Sequence, residues 1–352
     1  MPADVGRFLI VGFTGLEPGD EIRFALRDLG AGGVILFTRN YESPEQVRDL
    51  VARLRELSPR DRLWVCVDHE GGPVQRFREP FTVWPDMATL GRSGDTRFAR
   101  RMGAAMAAEL AAVGIDQNFA PVADVNTNPD NPVIGARAFS SDARKVAEFA
   151  VAVIEGLQGG AVAACAKHFP GHGDTDVDSH LDLPVLGHDR ARLDAVELVP
   201  FAAAARAGVA SIMSAHIVWP ALDPDRPATL SPVVLEALAR ALPYDGVIVS
   251  DDLEMSAIAK RYAFKEAAPL AVAAGCDALL VCKSVEAQES AYRGLFDAVR
   301  AGALPHERID ASIRRLDRMS SAFARRERPP LSVVGSEAHR RIAATISEAR
   351  IG

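Results

Sequence analysis

The sequence is short of several things, and each shortage removes a class of answer. Only four cysteines occur among 352 residues (Cys66, Cys165, Cys276 and Cys282), each alone in an apolar string with no Cys-x-x-Cys pair. That pattern excludes a disulfide framework and suits reduced core thiols in a reducing compartment. Aromatics are 6% of the chain, too few for a surface of aromatic binding platforms. Lysine is scarcer still, five of the 40 basic residues, so a lysine inside a motif stands out. Charge is 40 minus 47, or −7, with no long run of either sign, which argues against the basic stripe of a nucleic-acid binder. No apolar stretch reaches the roughly 18 residues of a membrane helix. The opening Met1-Pro-Ala-Asp-Val-Gly-Arg7 has no basic-then-apolar signal pattern. These absences predict a cytoplasmic protein with no nucleic-acid or membrane partner, and a monomer is the expected state.

What is abundant is the alternation of short apolar strands with helical periods. Eight runs read as strands: Phe8–Phe13, Gly33–Phe37, Leu63–Val67, Gln117–Ala120, Ala161–Cys165, Ala210–Met213, Gly246–Val249 and Ala278–Cys282. Most are apolar on both faces, as in a parallel sheet covered by helices. Val47, Leu50, Val51 and Leu54 recur at helical spacing, and further helices are predicted over 97–113, 141–158, 190–207, 231–242, 267–274, 285–301 and 305–325. Eight βα units predict an α/β fold, a single (β/α)₈ TIM barrel. A doubly wound open sheet is the alternative, but Gly12-Phe-Thr-Gly15 is no nucleotide fingerprint. The expected organisation is a catalytic barrel over 1–330, with Pro329-Pro330 breaking its last helix. A helical tail over 331–352 then packs on its outside.

Polar clusters gather where barrel enzymes build active sites, at the C-terminal ends of the strands. Five of eight histidines (His168, His172, His180, His188, His216) fall within 49 residues, where even spreading gives about one. Asp68-His-Glu-Gly-Gly72 follows the third strand. Asp124 and Ile134-Gly-Ala-Arg137 follow the fourth, and Lys167-His-Phe-Pro-Gly-His-Gly173 the fifth. Ser214-Ala-His216 and Ser250-Asp-Asp252 follow the sixth and seventh. Charged groups buried there are costly unless paired, so packing alone does not explain them.

Asp251 should stand at the barrel mouth as a nucleophile or base, whereas Asp252 suits the N-cap of the next helix. Asp178-Ser-His180 sets a carboxylate two residues before an imidazole, in a loop of glycines and small polar residues. Such a pair can fix the ring tautomer and raise its basicity, making a proton donor and later a base. No HxH after the first strand and no HExxH favours a metal, so none is expected. His168 or His172 could hold the Pro-Gly turn between them, and His69, His188, His306 and His339 read as structural or exposed.

The Lys167-His-Phe-Pro-Gly-His-Gly173 string, with Asp178-Ser-His180 and Ser250-Asp-Asp-Leu-Glu-Met255, resembles the signature of bacterial β-N-acetylglucosaminidases of glycoside hydrolase family 3. Asp68-His-Glu-Gly-Gly72 with Val74-Gln-Arg76, and Asn118–Asp124 followed by Ile134–Arg137, resemble further blocks in the same order. The likeness spans most of residues 8–285. It implies Asp251 as catalytic nucleophile, His180 as acid/base and Asp178 as its dyad partner. Asp68, Arg137, Lys167 and His168 would hold the hydroxyls of terminal N-acetylglucosamine, with no cofactor and no metal. Two blocks depart from the usual pattern. His69 and Pro73 replace Gln and Arg, and Ala138-Phe-Ser140 stands where Ser-Phe-Gly is usual, which bears on the group beyond the sugar rather than on the chemistry.

The implied reaction is retaining hydrolysis of terminal β-linked N-acetylglucosamine, with soluble muropeptide fragments of cell-wall recycling as substrate. Two alternatives use the same residues: a phosphorylase, since a histidine acid/base does not repel an incoming phosphate, and a sugar-binding sensor without turnover. With the chain used up by one barrel and its tail, the proton donor is expected from a barrel loop.

Overall fold

The computed structural model describes residues 4–179, 181–235, 242, 244–324 and 327–349. Ten strands occur in chain order: β1 (Leu9–Val11), β2 (Gly33–Leu36), β3 (Trp64–Val67), β4 (His69–Gly71), β5 (Val74–Gln75), β6 (Gln117–Asn118), β7 (Ala163–Phe169), β8 (Ser211–Ser214), β9 (Val247–Asp252) and β10 (Ala278–Val281). Eight of them close a parallel barrel in the order β1-β10-β9-β8-β7-β6-β3-β2, and β4 with β5 form a small antiparallel hairpin outside it. The fold is the TIM barrel expected from the βα period.

Side-chain alternation divides each barrel strand between two cores. Ile10, Ile35, Trp64, Cys66, Ala163, Cys165, Met213, Val247, Val249, Ala278 and Leu280 pack together inside the barrel. Their neighbours Leu9, Val11, Val34, Val65, Ala164, Ala166, Ile212, Ile248 and Leu279 face the surrounding helices. Successive strand residues point to opposite faces, so the inner face of β3 continues toward Asp68, that of β7 to Lys167 and that of β9 to Asp251. Three of the predicted site residues therefore share the barrel interior because of strand period alone.

Helices Pro44–Leu57, Thr96–Ala112, Ala143–Gly159, Phe264–Ala274, Val285–Arg300 and His306–Ala322 lie close to the predicted spans. Most begin on a polar cap: Ser43, Asp95, Asp142 and Ser284 each accept a backbone N–H of the first turn. The span read as one helix over 190–207 is interrupted by a π turn at Leu193–Glu197 before Leu198–Arg206 resumes. Of the helix predicted over 231–242, residues 236–241 lie outside the described residues.

The helix Glu337–Glu348 docks through one buried carboxylate. Glu109, on the helix Thr96–Ala112, accepts the Thr82 N–H at 3.0 Å and hydroxyl at 2.6 Å, the Gly335 N–H at 3.1 Å, and His339 Nδ1 at 2.8 Å. Burial would raise the Glu109 carboxyl, but His339 and Thr82 hold it below its ordinary value. No helix among the described residues is long and apolar enough to cross a membrane.

Candidate active site

The C-terminal mouth of the barrel holds a cavity of about 210 Å³ whose lining includes Asp68, Glu70, Arg137, Lys167, His168 and Asp251. Five of the seven predicted site residues thus meet in one place. A larger cavity, about 370 Å³, opens at the opposite end between the barrel floor and the helix His306–Ala322, and no predicted site residue lines it. Barrel chemistry belongs to the C-terminal face, and the ionisable groups are there.

Lys167 is buried, and its ammonium lies 2.7 Å from Asp68 Oδ1 and 2.6 Å from Glu70 Oε1. Burial alone would lower its pKa, but Asp68 and Glu70 raise it above the usual lysine value, so it stays a cation. Arg137 comes from the short 3₁₀ turn Gly135–Arg137 and grips Glu70 with two parallel bonds of 2.9 and 2.8 Å. A bidentate guanidinium–carboxylate pair is directional as well as strong. Both cations are therefore held in place by carboxylates and still line the cavity.

His168 is oriented from beneath by Asp124, which is fully buried on the loop after β6. Asp124 Oδ2 lies 2.7 Å from His168 Nδ1, and its Oδ1 accepts the backbone N–H groups of His168 and His172 at 3.2 and 2.7 Å. The His172 ring bridges the Thr175 and Ser179 hydroxyls at 2.7 and 3.0 Å, and burial pushes its pKa down to about 4. Its ring thus braces the loop after the Pro-Gly turn, while the turn itself is closed by the Gly171 N–H donating to the His168 carbonyl at 2.8 Å. His69 is buried beside Phe77 and Phe81, His188 pairs with Asp174 and His306 is exposed, in line with structural or exposed roles.

Asp251 ends the inner face of β9, and its Oδ1 accepts the N–H of Asp252 at 2.8 Å. Burial would raise its carboxyl. His168, His216, that N–H and Lys167 outweigh burial and hold it below the usual aspartate value, so it is an anion at neutral pH. Asp178 sits in the loop after β7, its carbonyl accepting the N–H groups of Leu181 and Asp182 at 2.8 and 3.0 Å. His180 lies outside the described residues. Among the described residues, no three or more His, Cys, Asp or Glu side chains are arranged to hold a metal ion.

Residues 4–319 match the model of the glycosyl hydrolase family 3 N-terminal domain. The chain belongs to glycosyl hydrolase family 3. It is 42% identical over 271 residues to a beta-hexosaminidase of Neisseria meningitidis serogroup C (strain 053442), spanning 75% of this chain and 74% of that protein. The solved family 3 beta-N-acetylglucosaminidase of Paenibacillus sp. str. FPU-7 superposes with a TM-score of 0.95 at 40% identity, covering 99% of this chain and 68% of that one. NagZ of Neisseria gonorrhoeae, solved with N-trifluoroacetyl-D-glucosamine, matches with a TM-score of 0.77 at 33% identity over 97% of this chain and 98% of that one. The protein is a glycoside hydrolase.

In this family 3 hydrolase, several expectations about local structure need correction. β7 runs to Phe169 and β9 to Asp252, so Lys167, His168, Asp251 and Asp252 are strand residues rather than loop residues. A hydropathy reading stops a strand at its first charge, whereas here Lys167 is paired, the Asp251 and Asp252 carboxylates accept backbone N–H groups, and the ladder continues. Asp252 caps no helix, since the helix Ser256–Ala259 has Met255 at its N-cap. Its carboxylate instead accepts the N–H groups of Glu254 and Cys282 at 3.1 and 3.3 Å. Glu70 and Asp124 lie within the family-like blocks, but motif reading assigned a role to neither. The signal for each was its place in a strand-end polar block, and what it pairs with was not readable from the sequence.

Burial, with Glu254 and Asp251 nearby, pushes the Asp252 carboxyl up to about 7. Between about pH 4 and pH 7 the folded protein then keeps a proton that the unfolded chain has released, so stability falls as pH rises through that window. Asp252→Asn, which cannot ionise, should become progressively more stable than the parent over the same window, by as much as about 4 kcal/mol. Denaturant midpoints at pH 5 and pH 8 check this. The same difference between variant and parent at both pH values would contradict it.

Proposed function

We propose that this protein is a retaining exo-β-N-acetylglucosaminidase that removes terminal β-linked N-acetylglucosamine from peptidoglycan-derived fragments during cell-wall recycling in the cytoplasm. The observation that carries the reading is the shared cavity: an ionised Asp251 faces the same space as Asp68, Arg137, Lys167 and His168. At about 210 Å³ it is smaller than the roughly 300–1,000 Å³ of pockets for drug-sized ligands, which suits one sugar ring. The relatives' activity on N-acetylglucosamine or hexosamine supports the choice of sugar.

In the proposed reaction Asp251 attacks the anomeric carbon and forms a glycosyl ester while the aglycone oxygen leaves. His180, made more basic by Asp178, gives that oxygen a proton. The same imidazole then takes a proton from water, which cleaves the ester and regenerates Asp251 with net retention. Asp68, Arg137, Lys167 and His168 hold the sugar hydroxyls and transfer no proton. The scheme asks for no cofactor and no metal, and a monomer suffices for it.

A fluorinated N-acetylglucosamine with a good leaving group tests the assignment, because it accumulates the ester. Peptide mapping by mass spectrometry should find the added sugar on the peptide containing Asp251. A label on any other peptide overturns the nucleophile assignment, and inversion at the anomeric carbon, read by proton NMR, overturns the mechanism.

A further inference from the structure

Glu70 is the carboxylate around which the sugar-binding cations are built, and three of its roughly four acceptor positions are taken by them. Its Oε1 accepts from Arg137 Nη2 at 2.8 Å and lies 2.6 Å from Lys167 Nζ, while its Oε2 accepts from Arg137 Nε at 2.9 Å. The side chain is almost wholly inaccessible, at 1% exposure. Burial alone would raise its carboxyl, yet Arg137 and Lys167 hold it well below the usual glutamate range. It is an anion with two charged partners, and although it lines the cavity its burial leaves little surface to offer a hydroxyl.

Counting donors shows what that anion does to its partners. An ammonium has three N–H groups. On Lys167 one is directed to Asp68 and one to Glu70, so a single N–H remains for the cavity. A guanidinium has five. Arg137 gives Nε and one Nη2 hydrogen to Glu70 and one Nη1 hydrogen to the Val133 carbonyl at 3.2 Å. Its second Nη2 hydrogen lies toward His168 Nε2, 3.4 Å away, which leaves one on Nη1. Asp68, 16% exposed, keeps lone pairs for hydroxyl donors.

We infer that Glu70 is a positioning residue that aims the remaining N–H groups of Arg137 and Lys167 at the sugar without touching it. The inference rests on the reading of Arg137 and Lys167 as hydroxyl-binding groups. Its geometric content is that one buried carboxylate sets the direction of two cations carried by neighbouring elements, the loop after β6 and the strand β7. A charge at the same place but of different length would neutralise them and still mis-aim them.

The test is a double-variant cycle on the whole protein, using kcat/KM for an aryl β-N-acetylglucosaminide and the inhibition constant of free N-acetylglucosamine. Glu70→Gln, Glu70→Asp and Arg137→Ala should each lower kcat/KM by about 10- to 100-fold, the size of a lost charge-assisted contact. Inhibition by N-acetylglucosamine should weaken in parallel. Because Glu70 acts through Arg137, the Glu70→Gln/Arg137→Ala pair should lose less than the product of the single losses. Multiplying losses would mean an independent structural effect and would overturn the inference. So would wild-type kinetics in Glu70→Asp, which keeps the charge but not the reach. If Glu70→Gln does not accumulate as folded protein, Glu70→Asp replaces it in the cycle. Wild-type kinetics in Arg137→Ala would instead bring down the underlying reading of the sugar site, a distinguishable failure.

Discussion

Asp251→Ala is expected to lower kcat for a β-N-acetylglucosaminide by about 10⁴-fold or more, the scale on which loss of a nucleophile is felt. The fold should survive. Among the described residues the Asp251 carboxylate accepts one hydrogen bond, from the N–H of the next residue, and forms no ion pair, so its removal costs one N–H its acceptor and strands no buried charge. Nor can the neighbouring carboxylate take over, because Asp252 is held by the N–H groups of Glu254 and Cys282, and its carboxyl, at about 7, is only partly ionised at neutral pH. Steady-state rates on a nitrophenyl glycoside, with and without added azide, check the expectation. Azide should restore turnover by attacking the vacated face, giving a sugar azide of inverted configuration. Activity near the parent rate, or an azide product of retained configuration, would refute the role.

Lys167→Met is expected to damage stability and binding together. Methionine matches the lysine stem in length but leaves Asp68 and Glu70 without their shared cation, at 16% and 1% exposure. Breaking a buried pair from one side costs about 3–5 kcal/mol. For a chain of this size that corresponds to a fall in Tm of about 5 °C. Arg137 still neutralises Glu70 through two bonds, which should keep the variant folded at room temperature. Its KM for the sugar should rise as well, since the one N–H that Lys167 turns to the cavity is gone. Calorimetry and steady-state kinetics measure the two effects. A variant as stable as the parent would mean that the lysine's desolvation cost equals its pairing gain. Unchanged KM would remove it from the sugar site.

The architecture was legible because it is written in local periods. Four-to-six-residue apolar runs alternating with helical spacing predicted the barrel, and eight of eight such runs became barrel strands. The place of the site followed from the ends of those runs, because Asp68, Lys167 and Asp251 each prolong an inward-facing strand. What the linear pattern hid was how charges behave once paired. β7 continues through Lys167 because Asp68 and Glu70, just beyond the end of β3, neutralise it, and β9 continues through Asp251, whose carboxylate accepts the next N–H. The hairpin of β4 and β5 was invisible for a different reason. Its strands are two or three residues long, and its turn depends on Gly71 and Gly72 at φ of 103° and 56° rather than on a hydrophobic repeat.

The same division separates Glu70 from Asp251. A terminal aspartate after an apolar strand announces itself, since nothing local requires a charge there. Glu70 sits within a short polar string, and its meaning comes from Arg137, 67 residues further along the chain. Glu109 becomes the anchor of the last helix only when Thr82, Gly335 and His339 converge on it. The sequence by itself determined the barrel and gathered the candidate site residues at one end of it, because strand period and strand ends are local properties. The tertiary structure alone decided which charges neutralise one another, which carboxyl is pushed upward by burial and which cations line the cavity. Those depend on distances between residues far apart in the chain.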